Sequence, residues 1–109
     1  MEKNENAAAS VAAGNVTQEQ IDSWKKKYRK VFCYEVDGKR LYFKQPDRNT
    51  LAAASVIARN DPMKYNEFVL NNSFLGGERA MLEDDSVFYG LSQKMDELVA
   101  AKVGELKNL

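Results

Sequence analysis

Residues 31–44 read Val31-Phe32-Cys33-Tyr34-Glu35-Val36-Asp37-Gly38-Lys39-Arg40-Leu41-Tyr42-Phe43-Lys44. Strand-forming residues flank Asp37-Gly38, a dipeptide favoured in a two-residue type I′ hairpin turn because both central positions there need positive φ. That turn sets a register in which Val36 faces Lys39, Glu35 faces Arg40, Tyr34 faces Leu41 and Phe32 faces Phe43. Residues opposite one another share a face of the pair. One face is then Phe32, Tyr34, Val36, Leu41 and Phe43, all apolar or aromatic. The other carries Val31, Cys33, Glu35, Arg40, Tyr42 and Lys44, with Glu35 and Arg40 as a cross-strand ion pair. A lone hairpin is marginal in water, so its apolar face needs cover from helices or from another copy of the chain.

Upstream of the hairpin, Thr17 and Gln20 have capping-box spacing, and Val16 and Ile21 occupy the positions of a hydrophobic staple around that cap. Ile21, Trp24 and Tyr28 then recur at three- and four-residue intervals, which predicts a short amphipathic helix. Residues 1–15 contain no Leu, Ile or Phe. They read as a disordered tail that buries too little surface to offset its ordering entropy; the alternative is a helix formed on a partner, since alanine tolerates helix well. Glu2 and Glu5 do not suit the basic start of a secretory signal. No run approaches the ~20 apolar residues that cross a bilayer. The expectation is a cytoplasmic protein that does not engage a membrane, with one domain over 16–109.

Downstream, Gln45-Pro46-Asp47 stops the second strand and offers Asp47 as a helix N-cap. An alanine-rich helix follows, carrying Leu51, Ala54, Val56, Ile57 and Ala58. Asp61-Pro62 caps the next helix, proline suiting its first position because the missing N–H is an orphan there in any case. That helix holds Met63, Tyr65, Phe68 and Val69 and frays near Asn71-Asn72. Gly76-Gly77 reads as a flexible turn, with a short helical turn over Glu78–Leu82. Asp84 or Asp85 then caps a long terminal helix, whose stripe is Phe88, Leu91, Met95, Leu98, Val99, Val103 and Leu106. The predicted fold class is α+β and mostly helical: an N-terminal helix, one β-hairpin, then three to four helices with a long C-terminal helix.

The chain's 109 residues leave room for one domain. It has one cysteine and no histidine. Those counts exclude an internal disulfide, a zinc site of the usual Cys/His kind, and Ser-His-Asp or Cys-His catalysis. No catalytic residue, metal ligand or cofactor is expected. Sixteen Lys and Arg balance sixteen Asp and Glu, which argues against a dedicated nucleic-acid binder. The balance is uneven along the chain. Residues 17–48 carry nine basic and five acidic groups, a net of +4, and residues 61–109 carry five and nine, a net of −4. Such halves attract within a molecule or between copies, which points to possible homo-oligomers.

Three clusters deserve a functional reading beside a plain one. Lys25, Lys26, Lys27, Arg29 and Lys30, interleaved with Trp24 and Tyr28, have the composition of a nucleic-acid patch; they also suit a solvated helix face with its aromatics turned inward. Glu83-Asp84-Asp85, with Glu78 before it, lacks the alternating ligands and central glycine of a calcium loop, and helix capping accounts for two of its members. Cys33 sits mid-strand between Phe32 and Tyr34 with no residue to activate it, and is expected to act as a small apolar side chain.

The order Phe43-Lys44-Gln45-Pro46-Asp47-Arg48 running into an alanine-rich helix, Asp61-Pro62 opening another, Leu70 and Asn71-Asn72 before Gly76-Gly77, and Asp84-Asp85 leading to a terminal helix resembles the small tail-assembly-chaperone-like proteins of tailed bacteriophages and prophages. The resemblance covers residues 31–109 and carries over no catalytic residue. It implies a non-enzymatic protein of the host cytoplasm that coats the tape measure protein while tail-tube subunits assemble around it. Many such chaperones are also made as a longer, frameshifted product. The apolar positions to watch for partner binding are Phe32, Tyr34, Leu41, Phe43, Phe74, Phe88 and Tyr89. The contrasting reading is a small nucleic-acid-binding regulator acting through residues 24–30.

Overall fold

The computed structural model describes residues 15–109, so all but Asn15 of the expected tail lies outside the described residues. Helix α1 spans Gln18–Lys27 and opens on the expected capping box. The Gln20 amide donates to Thr17 Oγ1 at 3.1 Å, and the Thr17 amide donates to Gln20 Oε1 at 2.9 Å. Strands β1 (Val31–Val36) and β2 (Lys39–Lys44) follow, antiparallel, in the register the turn dictates. Asp37 and Gly38 have φ of 52° and 74°, as a type I′ turn requires. Arg40 Nε lies 3.3 Å from Glu35 Oε2, the cross-strand pair expected there.

Helix α2 (Arg48–Ile57) is capped by Asp47, whose Oδ1 accepts from the Thr50 amide at 2.8 Å. These bonds favour the charged carboxylate, so the Asp47 carboxyl titrates below the usual carboxylate range. Helix α3 (Pro62–Ser73) starts on Asp61 with Pro62 in its first turn. A 3₁₀ turn covers Arg79–Glu83, and Asp84 caps α4 (Asp85–Ser92), accepting from the Ser86 amide at 2.9 Å. A single turn, α5 (Met95–Leu98), ends the regular structure.

Two expectations are corrected. The hairpin is part of a three-stranded antiparallel sheet, because Phe74–Gly77 forms β3 on the free side of β2. Leu41 pairs with Gly77, Tyr42 with Gly76 and Phe43 with Phe74, and the register shifts between Tyr42 and Phe43. Gly76-Gly77 is therefore strand, not a flexible turn, and both glycines are there for close approach. A Cβ on Gly76 would stand 2.8 Å from the Trp24 ring, and one on Gly77, where φ is +112°, would collide with the Arg40 carbonyl oxygen.

The long C-terminal helix is not formed either. Gln93 and Lys94 interrupt it, and residues 99–109 contain neither helix nor strand. The interruption still lets Leu91, Met95 and Leu98 bury against the sheet. Beyond Val99 the stripe packs on nothing among the described residues: Val103, Leu106 and Leu109 are fully exposed. An unsupported segment this short does not hold a helix by propensity alone, and Gly104 lowers its propensity further.

The core fills one face of the sheet. Leu41 and Phe43 meet Ala54 from α2, Val69 and Leu70 from α3, Val87 and Leu91 from α4, and Met95 and Leu98 from α5. The opposite face is covered by α1. Trp24 lies over Tyr42, with ring centroids 5.7 Å apart, which leaves Tyr42 buried although it sits on the polar face of the hairpin. Two layers of helix thus sandwich one small sheet. No helix among the described residues is long and apolar enough to cross a membrane.

Candidate functional site

An open cleft of about 760 Å³ lies between α3 and the 3₁₀–α4 segment. Its α3 wall presents Met63, Lys64 and Glu67; the facing wall presents Arg79, Glu83, Asp85, Phe88 and Tyr89. Local sequence explains both walls. Pro62 in the first turn of α3 places Met63 and Glu67 four residues apart on one side of the helix. Asp84 caps α4 and so fixes where Asp85, Phe88 and Tyr89 emerge. The walls touch where Ser92 Oγ reaches Met63 Sδ at 4.0 Å.

The cleft is amphipathic and acidic. Met63 and Tyr89 are large side chains left 42% and 54% exposed, and Phe88 is half-buried beside them. Four carboxylates, Asp61, Glu67, Glu83 and Asp85, line it against two cations, Lys64 and Arg79. Arg79 is already engaged: Nη2 lies 3.3 Å from Asn71 Oδ1, and the guanidinium sits 5.2 Å from the Phe74 ring centroid. The cleft's size is within the range of ligand and side-chain pockets. Its apolar floor and charged rim are the features of a surface that can hold an amphipathic segment.

The seven apolar candidates separate into three groups. Leu41 and Phe43 are sealed in the core at 0% and 1% exposure, so they are corrected from partner-binding to structural positions. Phe32, Tyr34 and Phe74 are half-buried in the sheet, Phe74 edge-on to Phe43 at 5.8 Å. Only Phe88 and Tyr89 line the cleft. Cys33 is also corrected: it is exposed, because the face it shares with Tyr42 is covered over β2 and not over the edge strand β1.

Lys25, Lys26, Lys27, Arg29 and Lys30 are all exposed and lie away from the cleft. The aromatics among them are occupied. Trp24 packs on Tyr42, and the Tyr28 ring has Lys27 and Lys44 ammonium groups at 5.5 and 5.0 Å from its centroid. Of the acidic cluster, Glu78 pairs with Lys39 at 3.0 Å and Asp84 caps α4. Among the described residues no three His, Cys, Asp or Glu side chains are grouped to hold a metal ion.

Glu67 and Arg79 carry no distinct signal in the sequence, and Met63 reads there only as one of the apolar residues of its helix. The only cue to their placement is the Asp61-Pro62 start that orients α3; that α3 faces α4 is decided in three dimensions. Compared with protein-family models, with curated proteins and with solved structures, the chain matches none.

Proposed function

We propose that this chain is a non-enzymatic binding protein that holds one face of a partner's amphipathic helix in the α3–α4 cleft, acting in the cytoplasm as an assembly chaperone of the phage-tail kind. The observation that carries the reading is the exposure of Tyr89 and Met63 beside Phe88 within a rim of carboxylates. A helix laid in an apolar groove is read through side chains at i, i+3, i+4 and i+7. The rim selects a helix whose flanks carry Lys and Arg. The resemblance of residues 31–109 to tail assembly chaperones supplies the partner: a long tape measure protein, kept soluble until tail-tube subunits enclose it. The lack of histidine removes the commonest general base and agrees with a protein that binds without turnover.

Co-expression with a tape-measure-like protein from the same genome neighbourhood is expected to raise that protein's soluble fraction and to yield a co-purifying complex. Tyr89→Ala and Phe88→Ala should each weaken the complex, Tyr89→Ala without loss of fold because its side chain is more than half exposed. No gain in solubility together with no co-purification overturns the reading.

A second reading, a small nucleic-acid-binding regulator, draws on the exposed cations Lys25, Lys26, Lys27, Arg29 and Lys30. It predicts an affinity that falls steeply with salt and is abolished by charge reversal at Lys25, Lys26 and Lys27. A flat titration at low salt dismisses it.

A further inference from the structure

We infer that β1 is a homodimerisation edge, pairing antiparallel with β1 of a second copy to make a continuous six-stranded sheet.

The open edge follows from the turn. In a two-residue hairpin the pair flanking the turn, Val36 and Lys39, exchanges backbone hydrogen bonds, and bonded pairs then alternate with non-bonded ones. Val36, Tyr34 and Phe32 therefore bond toward β2. The Gln45 amide donates to the Lys30 carbonyl at 3.0 Å, which continues the same parity. The N–H and C=O of Val31, Cys33 and Glu35 point the other way, and β1 has a neighbour on one side only. Among the described residues no backbone group meets them. Edges are normally blunted by proline, by a bulge, by inward charge or by a covering element. β1 has no proline, pairs with β2 without a register shift, and carries one charged residue, Glu35, which is tied to Arg40 across the strands.

The side chains on the core face are incomplete at this edge. Phe32, Tyr34 and Val36 are only partly buried, whereas their neighbours Leu41 and Phe43 on β2 are sealed. A hollow of about 190 Å³ opens beside them, with Phe32, Tyr34, Leu91 and Leu98 among its apolar walls and Lys94 and Glu97 as its charged members.

Charge selects a second copy as the occupant. The outward groups at 31, 33 and 35 are symmetric about Cys33, so an antiparallel pairing through a two-fold axis sets Cys33 opposite Cys33 of the second copy. The same register sets Val31 opposite Glu35, Phe32 opposite Tyr34, and Arg29 opposite Asp37. Arg29 and Lys30 at one end of β1 thus lie against the acidic end of the other strand, and the two-fold axis repeats this at both ends. Parallel pairing would set like charges side by side. Two Phe32–Tyr34 pairs close over the partly buried core face, an aromatic arrangement favourable in sheets. The edge and the α3–α4 cleft share no lining residue except Leu70, so the pairing does not depend on what the cleft binds.

The mass of the full chain in solution, measured by light scattering across a concentration series, is expected to reach twice that of one chain. Cys33→Pro removes an outward N–H at an edge-strand position, where proline is tolerated, so it should give the monomer mass with an unchanged circular dichroism spectrum. If that variant fails to fold, Arg29→Glu sets two carboxylates together at each end and should weaken the dimer about three- to tenfold. Because each chain has one cysteine, any disulfide joins two chains. Paired Cα atoms in this register are about 5.5 Å apart, within the range of about 4.4–6.8 Å that a disulfide spans. Mild oxidation should therefore yield a covalent dimer, lost on reduction. A monomer mass at all concentrations overturns the proposal, as does a dimer whose affinity Cys33→Pro and Arg29→Glu leave unchanged.

Discussion

Gly38 and Gly77 make a controlled experiment in backbone strain. Both have positive φ, +74° and +112°, but a Cβ on Gly38 meets nothing within 4 Å, whereas one on Gly77 runs into the Arg40 carbonyl oxygen. Gly38→Ala therefore incurs only the left-handed penalty of about 1–2 kcal/mol, partly offset by ~0.4–1 kcal/mol from the restricted unfolded chain. A net loss of about 1 kcal/mol is expected. Gly77→Ala incurs about 1–3 kcal/mol of backbone strain and must also push β3 away from β2. That displacement loses one or two ladder bonds at about 1 kcal/mol each and loosens Phe74 from its edge-on contact with Phe43. The total is about 4 kcal/mol, a large part of the 5–15 kcal/mol that holds a typical domain.

Urea unfolding followed by Trp24 fluorescence measures both variants. The single tryptophan lies over Tyr42 and Gly76, beside the strand being displaced. With a denaturant slope of about 1–3 kcal/mol/M, Gly77→Ala should lower the midpoint by more than ~1 M, and by roughly four times as much as Gly38→Ala. Equal midpoints for the two variants would refute the argument that β3 is held against Arg40 by the absence of a side chain.

Three shorter predictions accompany it. Ser73 is fully buried and its Oγ has no hydrogen-bond partner among the described residues, so Ser73→Ala should stabilise the domain by about 1 kcal/mol, read as a higher thermal midpoint. Removing residues 100–109, where Val103, Leu106 and Leu109 are fully exposed, should leave the unfolding midpoint within about 0.5 kcal/mol of the full chain. The Asp47 carboxyl is held below its ordinary pKa by the Thr50 bonds. Its contribution is therefore complete above the unfolded-state value and disappears as pH falls through the folded one; Asp47→Ala should flatten that acid limb in a pH series of thermal melts.

The correspondence between residue pattern and architecture follows the distance over which each interaction acts. The I′ turn, the strand register, the Thr17–Gln20 box and the Asp47 and Asp61 caps were all legible in the sequence, and the last cap was legible as Asp84 or Asp85. Each is settled by hydrogen bonds or φ preferences among residues a few positions apart, or by a register that the turn propagates. The exposure of the basic run and the inward set of Trp24 followed from helical periodicity. Phe88 and Tyr89 could be singled out as apolar positions, but not as two walls' worth of cleft.

Only the folded chain decided the rest, because those features depend on which distant elements meet. Phe74-Leu75-Gly76-Gly77 has poor strand propensity and becomes β3 because β2 offers it an open edge while Trp24 and the Arg40 carbonyl tolerate nothing larger than glycine above it. The stripe from Phe88 to Leu106 is continuous in periodicity, yet the core ends at Val99, so the apolar residues beyond it have no surface among the described residues to bury against and the helix stops. Leu41 and Phe43 look equivalent to Phe32 and Tyr34 in a hairpin; they differ because β2 is central and β1 is an edge. Periodicity records which face of an element is apolar, and burial depends on whether another element arrives to cover it.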